Sequence, residues 1–265
     1  MAEEPVLRTD REGIIELVLN RPDKLNALNQ RTLDIIRESL EDLRLRDDLR
    51  VMLIRAKGRY FSAGADLTAF QNYADPKSGV KTRSWFRREM GGMQTLWQEM
   101  ELVEKPIVVA HHAMCVGGGL EMSLSCDFRL AAASAAYWFP EMKMAMVPAS
   151  GGISRLTRLC GIHWAKWMVL ANRKVDAQRA LTMGLVHEVF PDETFEAEVW
   201  AFCQELAAFP PEVTAVAKMS IEMAADLESA SSRQLERLVY SSLMAGEEHD
   251  EMKRQHHRNI LSSSS

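Results

Sequence analysis

The chain has 265 residues, 47% of them apolar and 26% charged, with a formal net charge of −5 at neutral pH. That length suffices for one large core or a core with a small appendage. The charge balance leaves no global basic footprint for nucleic acid, and no apolar run approaches the roughly 20 residues that cross a bilayer.

The N-terminal Met1-Ala2-Glu3-Glu4-Pro5 is acidic and shows neither a secretory apolar core nor an Arg-rich transit pattern. Ile14–Leu19 reads as a strand, broken by Asn20-Arg21-Pro22-Asp23. A helix from about Asn29 to Arg44 follows, with Leu33, Ile36, Leu40 and Leu43 on one buried face. Val51-Met52-Leu53-Ile54 is a short apolar strand of the kind buried on both sides. Residues 58–68 form a glycine- and alanine-rich loop, and Asp75-Pro76-Lys77-Ser78-Gly79 reads as a mobile one. Basic residues cluster at Lys81–Arg88, either as a solvated helix face or as a flap over a phosphorylated ligand. A helix reaching about Glu104 stops at Pro106, and Ile107–Ala110 is the next strand. After a triple glycine, a helix runs to about Cys126, and Asp127–Ala131 is again strand-like. Strands alternating with helices give an α/β class. From about residue 194 the pattern is helical, divided by Pro210-Pro211. No internal repeat is evident at periods of about 20–50 residues. Cys115, Cys126, Cys160 and Cys203 form no Cys-x-x-Cys pair, so they read as buried free thiols in a reducing compartment, the cytoplasm.

Two loops and two carboxylates carry the candidate chemistry. Tyr60-Phe61-Ser62-Ala63-Gly64-Ala65-Asp66-Leu67 is built of small residues that let backbone approach a ligand, or form a tight structural turn. Val116-Gly117-Gly118-Gly119 removes side-chain bulk and leaves unpaired N–H donors at a helix start. One N–H from each loop, converging on one oxygen, would make an oxyanion hole. Glu121 falls in the first turn of that helix, where a carboxylate serves either the helix dipole or a reaction. Glu141 follows Pro140 in an aromatic segment, Tyr137-Trp138-Phe139. A carboxylate in such surroundings is costly unless used or paired, so its pKa should rise; a salt bridge to Arg155 is the structural alternative.

Several segments share an order and spacing with one family. They are Asn20-Arg21-Pro22-Asp23-Lys24-Leu25-Asn26-Ala27-Leu28, Phe61–Leu67, Gly117-Gly118-Gly119-Leu120-Glu121 with Cys126-Asp127, Pro140-Glu141, Val147-Pro148, and Gly151-Gly152 with Arg155-Leu156. Ala177-Gln178-Arg179-Ala180 and Gly184-Leu185-Val186 complete the series. Together they resemble the enoyl-CoA hydratase/isomerase, or crotonase, superfamily over roughly residues 6 to 250. The resemblance implies a crotonase-like spiral of ββα turns over residues 1–195. It implies a helical section, residues 196–265, that builds homotrimers, often paired into hexamers. It also implies an acyl-CoA thioester substrate, with no cofactor beyond that CoA moiety and no metal. By position, the oxyanion N–H groups belong to Ala65 and Gly118. The CoA moiety would lie along Lys24, Leu25, Ala27, Ala63, Asp66 and Leu67, mostly on backbone. Members with both carboxylates usually hydrate a 2-enoyl-CoA, with Glu121 as base toward water and Glu141 as proton donor to the α-carbon. Members that only shift a double bond depend on the carboxylate matching Glu141. A non-catalytic CoA- or RNA-binding scaffold is the reading from another class; both acids and both loops argue against it.

Trp138 stands where the family usually has a small residue, which should narrow or reshape the acyl pocket toward branched, aromatic or terpenoid groups. Ala113 and Asn172 stand where glycine is common, and Ala149-Ser150 replaces a glycine-containing pair. His111-His112 read as a packed or solvent-facing pair, and His249, His256 and His257 as surface residues. Met142, Met144 and Met146 read as fillers of core or acyl-pocket space. No Gly-x-Ser-x-Gly supports a triad hydrolase.

Overall fold

The computed structural model describes residues 4–66, 68, 78–85, 87 and 91–263, with residues 85, 91, 255–257 and 259–263 described by backbone alone. Strand β1 (Val6–Arg11) pairs antiparallel with β2 (Ile14–Leu19). Helix α1 (Gln30–Leu45) starts where the Asn29 side chain accepts from the Thr32 N–H at 2.9 Å, and it buries Leu33, Ile36, Leu40 and Leu43 as its spacing requires. Strands β3 (Val51–Ala56) and β4 (Tyr60–Ser62) precede α2 (Gly79–Trp85) and α3 (Gly91–Leu102). Of the expected loop Asp75–Gly79, residues 75–77 lie outside the described residues and Gly79 opens α2. In the basic cluster, Lys81, Arg83 and Arg87 are exposed, while Arg88 lies outside the described residues.

Strands β5 (Ile107–His111) and β6 (Met114–Val116) lead into α4 (Gly118–Ser123). That helix ends earlier than its sequence suggests. Ser125 and Cys126 donate to carbonyls three residues back, which tightens the last turn before β7. Then come β7 (Phe128–Ala132), β8 (Ala136–Trp138), a 3₁₀ turn over Glu141–Met144, α5 (Gly152–Ala165), β9 (Val175–Asp176), α6 (Ala177–Thr182), β10 (Glu188–Phe190) and α7 (Phe195–Ala208).

A large sheet has the order β1-β2-β3-β5-β7-β10, and a small one β4-β6-β8-β9. Each strand pair β3–β4, β5–β6 and β7–β8 gives its first strand to the large sheet and its second to the small sheet. Within each sheet these strands run parallel. The chain therefore winds as a spiral of ββα turns.

The large sheet is covered on both faces, which is why its strands read as continuous apolar runs. On one face, Met52, Ile54, Ile107, Val109 and Ala131 join the main core. On the other, Val51, Leu53, Val108, Ala110 and Leu130 pack under Phe195, Val199 and Cys203 of α7. One compact unit thus extends through Ala207, and a second begins at Ala208. The helical stretch that sequence starts at residue 196 becomes a separate unit one helix later, because α7 buries its apolar stripe on the sheet. The second unit comprises α8 (Pro211–Ala224), α9 (Ser229–Met244) and α10 (Glu247–Ser263). Helices α8 and α9 bury none of their side chains, and Ile221, Leu238 and Tyr240 are exposed. His249 is half-buried in α10, and the His256 and His257 side chains lie outside the described residues. All four cysteines are free and buried.

Met142, Met144 and Met146 do not fill the core. They are 40%, 44% and 42% exposed, because the 3₁₀ turn closes on itself through Ala145 and Met146 N–H bonds and fans these side chains outward. Val147, Ile153 and Ile162 are exposed as well.

Candidate active site

Strands β4 and β6 run parallel, with Ser62 opposite Cys115, so the loops that follow them leave the small sheet at the same end. The residues after β4 are zipped to an upstream segment. Ala63 N–H donates to the Leu25 carbonyl at 2.8 Å, Leu28 N–H to Gly64 at 2.8 Å, and Asp66 N–H to Leu28 at 2.9 Å. That ladder faces alternate groups away, and the Ala65 N–H has no acceptor among the described residues. Gly118 opens α4 and its N–H likewise lacks one. A methyl group on Gly118 would lie 3.1 Å from the Ala65 nitrogen, and one on Gly64 would lie 3.0 Å from the Gly118 nitrogen. Two free donors therefore sit side by side, and only backbone fits between them. Gly64 (φ +97°) and Gly117 (φ +50°) hold conformations that L side chains rarely adopt, which makes the turns possible.

Glu121 is buried in the single turn of α4. Its Oε1 accepts from the Ser150 N–H at 2.7 Å and the Gly152 N–H at 3.2 Å. Burial raises its pKa above the ordinary carboxylate value, while those two N–H groups and Arg155 pull it back. Arg155 is itself fixed by a bidentate pair to Glu101, at 2.5 and 2.7 Å. That commitment removes the salt bridge considered for Glu141.

Glu141 opens the 3₁₀ turn after β8. A methyl group on Gly117 would fall 2.8 Å from its Oε1, so the carboxylate lies directly over the glycine turn. Its Oε2 is buried without a partner among the described residues. Burial pushes its pKa up to about 7; its own N–H opposes this and the Glu121 charge adds to it. The site thus combines two convergent N–H donors, one oriented carboxylate and one carboxyl that holds a proton near neutrality. Such a set can stabilise negative charge on one oxygen while moving a proton beside it.

The other residues singled out in sequence gather along the ladder. Lys24 is exposed at the end of a 3₁₀ turn, Leu25 sits in a left-handed conformation (φ 52°), and Ala27 is half-buried beside them. Ala63 and Asp66 face this segment, and Asp66 is held by Arg21 at 2.9 Å, with the same guanidinium nitrogen on the Ala27 carbonyl at 2.6 Å. Leu67 lies outside the described residues. Asn26, inside the first motif, accepts from the Arg21 N–H and donates to the Lys57 and Tyr60 carbonyls, pegging the two segments together. Ser150, Gly152 and Glu101 were missed as supports for Glu121. The only signal was the glycine pair itself, since backbone donors leave no mark in side-chain pattern.

Trp138 gives its carbonyl to the Gly117 N–H at 3.0 Å and its indole N–H to Asn172 at 3.3 Å. Lys143 and Lys174 ammonium groups lie 4.8 and 4.6 Å from its ring. Asn172 keeps the left-handed backbone (φ 53°) that glycine would take, and Ala113 needs no positive φ at all. His112 bonds the Gly58 carbonyl at 2.6 Å, and no group of metal-ligating residues occurs among the described residues.

A model of the enoyl-CoA hydratase/isomerase family matches residues 9–257. The chain belongs to that family. An enoyl-CoA isomerase/hydratase of Mycosarcoma maydis is 31% identical, covering 94% of this chain and 91% of that protein. A crotonyl-CoA hydratase of Syntrophomonas wolfei is 32% identical over 75% of this chain and 74% of its own. The crystal structure of an enoyl-CoA hydratase from Bacillus anthracis superposes with a TM-score of 0.89 at 26% identity, covering 96% of both chains. Membership of the enoyl-CoA hydratase/isomerase family makes this chain an enzyme of that superfamily, with the α/β spiral common to these structures.

Proposed function

We propose that the protein is an enoyl-CoA hydratase that adds water reversibly across the 2,3 double bond of a 2-enoyl-CoA. The observation that carries this reading is the unlike pair of carboxylates: Glu121 oriented by two backbone donors, and Glu141 with a buried oxygen unpartnered among the described residues and a pKa pushed up to about 7. In this reading the thioester oxygen lies between the Ala65 and Gly118 N–H groups, which stabilise the enolate-like charge of the transition state. Ionised Glu121 takes a proton from water as it attacks the β-carbon, and protonated Glu141 delivers one to the α-carbon. Dehydration reverses both roles. The CoA moiety runs along Lys24, Leu25, Ala27, Ala63, Asp66 and Leu67, and no other cofactor or metal takes part. The exposed apolar residues of the helical unit suit assembly into trimers or hexamers, and four free thiols suit the cytoplasm.

The test is a turnover screen over straight, branched and aromatic enoyl-CoA thioesters. Loss of enoyl-thioester absorbance with gain of one water by mass is the expected result. Conversion of 3-enoyl-CoA to 2-enoyl-CoA with no water gained would instead make the protein an isomerase working through Glu141 alone.

A further inference from the structure

Directly beneath the one-turn helix that carries Gly118 and Glu121 lies a polar chain that the proposed reaction does not use. His111 ends β5, Tyr137 lies in β8 and Ser123 closes α4; all three are completely buried. Tyr137 OH is 3.2 Å from His111 Nδ1, His111 Nε2 is 2.8 Å from Ser123 Oγ, and Ser123 Oγ is 2.8 Å from the Gly119 carbonyl. The direction of every bond follows from this geometry. A carbonyl only accepts, so the single Ser123 proton goes to Gly119. The Ser123 oxygen must then accept from His111, which places the ring proton on Nε2. Burial, with Arg129 and His112 nearby, pushes the His111 pKa down to about 3, so the ring is neutral and Nδ1 accepts the Tyr137 proton. Phe61 holds the imidazole edge-on at 4.6 Å between ring centres, and Cys115 Sγ closes the far side 3.6 Å from Ser123 Oγ.

We propose that Tyr137, His111 and Ser123 form a one-way hydrogen-bond relay that positions the first turn of α4, and with it the Gly118 donor and Glu121. This inference rests on the hydratase reading of that turn. Helix α4 has six residues and begins with two glycines after a third. Isolated helices below about 12 residues are marginal, and each interior glycine weakens a helix further. The turn therefore needs support from outside itself. The relay supplies it at the Gly119 carbonyl, within the turn that presents both groups, and it ties that turn to β5 and β8. His111 and Ser123 each have a partner on both sides, and Cys115 Sγ, 3.6 Å from Ser123 Oγ, is a further contact at the Ser123 end, so the turn is held at its carbonyl. These are positioning residues, since none reaches the site.

The test uses the full chain with isotope-labelled butyryl-CoA, a saturated and unreactive thioester, and reads the infrared stretch of its carbonyl. Bound to the wild type, that stretch should move to lower frequency. Ser123→Ala should shrink the shift and lower kcat on a 2-enoyl-CoA about tenfold at similar KM, a fraction of the 100- to 1,000-fold that loss of a whole donor costs. Tyr137→Phe, which removes one hydroxyl, should act in the same direction more weakly. The double variant should fall no further than Ser123→Ala, because a cut relay cannot be cut twice. Lower thermal stability with an unchanged carbonyl shift and kcat in both single variants overturns the relay, as does a double variant whose losses simply add. An unshifted carbonyl in the wild type defeats the hydratase reading and the relay with it, and is told apart because it needs no mutation.

Discussion

Glu121 and Glu141 come from regions built in opposite ways. The first sits in a one-turn helix whose every residue is buried, and the Ser150–Gly152 loop lays two N–H groups on one carboxylate oxygen. That loop is tied down in turn, with the Ala149 carbonyl on Gln94 at 2.7 Å and Arg155 on Glu101. Glu141 opens a 3₁₀ turn whose other side chains are exposed, and one of its oxygens has no donor among the described residues. Two residues of the same type thereby acquire different proton affinities. The difference lies in the supply of donors more than in burial, because burial raises both. A carboxylate given N–H partners is fitted to accept a proton from water, and one denied them is fitted to deliver its own.

Breaking the donating side should have the largest effect. Glu141→Gln is expected to cut hydration by about 1,000-fold or more, followed as loss of enoyl-thioester absorbance. Glu121→Gln should cost about 100- to 1,000-fold in the same assay. A variant with wild-type rate at either position would end the two-carboxylate mechanism. The pH profile sharpens the contrast. The proposed hydration needs Glu141 protonated, so kcat/KM should fall as pH rises through about 7. It needs Glu121 ionised, so a second fall is expected on the acid side, above the ordinary carboxylate range. Because the Glu121 charge helps raise Glu141, the residual activity of Glu121→Gln should lose its alkaline limb at lower pH than the wild type. The smallest effect is on stability. A carboxyl whose folded-state pKa is raised binds its proton more tightly when folded, so its contribution is lost as pH rises from the unfolded value toward 7. Glu141→Gln removes that loss, and its melting temperature should exceed the wild type's by about 2 °C at pH 8 but not at pH 4.

Much of the fold was legible because its strongest rules are local. The one-sided apolar stripe of α1 and the run Val51–Ile54 follow from spacing alone. Strand β1 was not, since the far half of Val6–Arg11 is exposed and polar and its place is set by pairing with β2. The ββα repeat was legible only through the family resemblance, not as a period in the sequence. The two strands of each pair are close in sequence, but a long excursion between β4 and β5 destroys any fixed period. In the site, the two acids and two glycine turns carry side-chain or glycine signatures. The Ser150 and Gly152 donors are main-chain groups about thirty residues from Glu121, and the His111–Ser123–Tyr137 chain joins three elements at no characteristic spacing. The core half of the methionine reading failed because apolarity alone cannot say which way a 3₁₀ turn faces.

Under the proposed hydratase activity, the buried thiols bear on how the protein tolerates its substrate. A 2-enoyl thioester is an electrophile that adds thiolates at the same β-carbon that water attacks. Burial pushes Cys115 and Cys203 up to about 12 and Cys160 up to about 11, so none of the three presents a thiolate at neutral pH. In the proposed hydratase reading, these three thiols are thereby kept from alkylation by a 2-enoyl thioester.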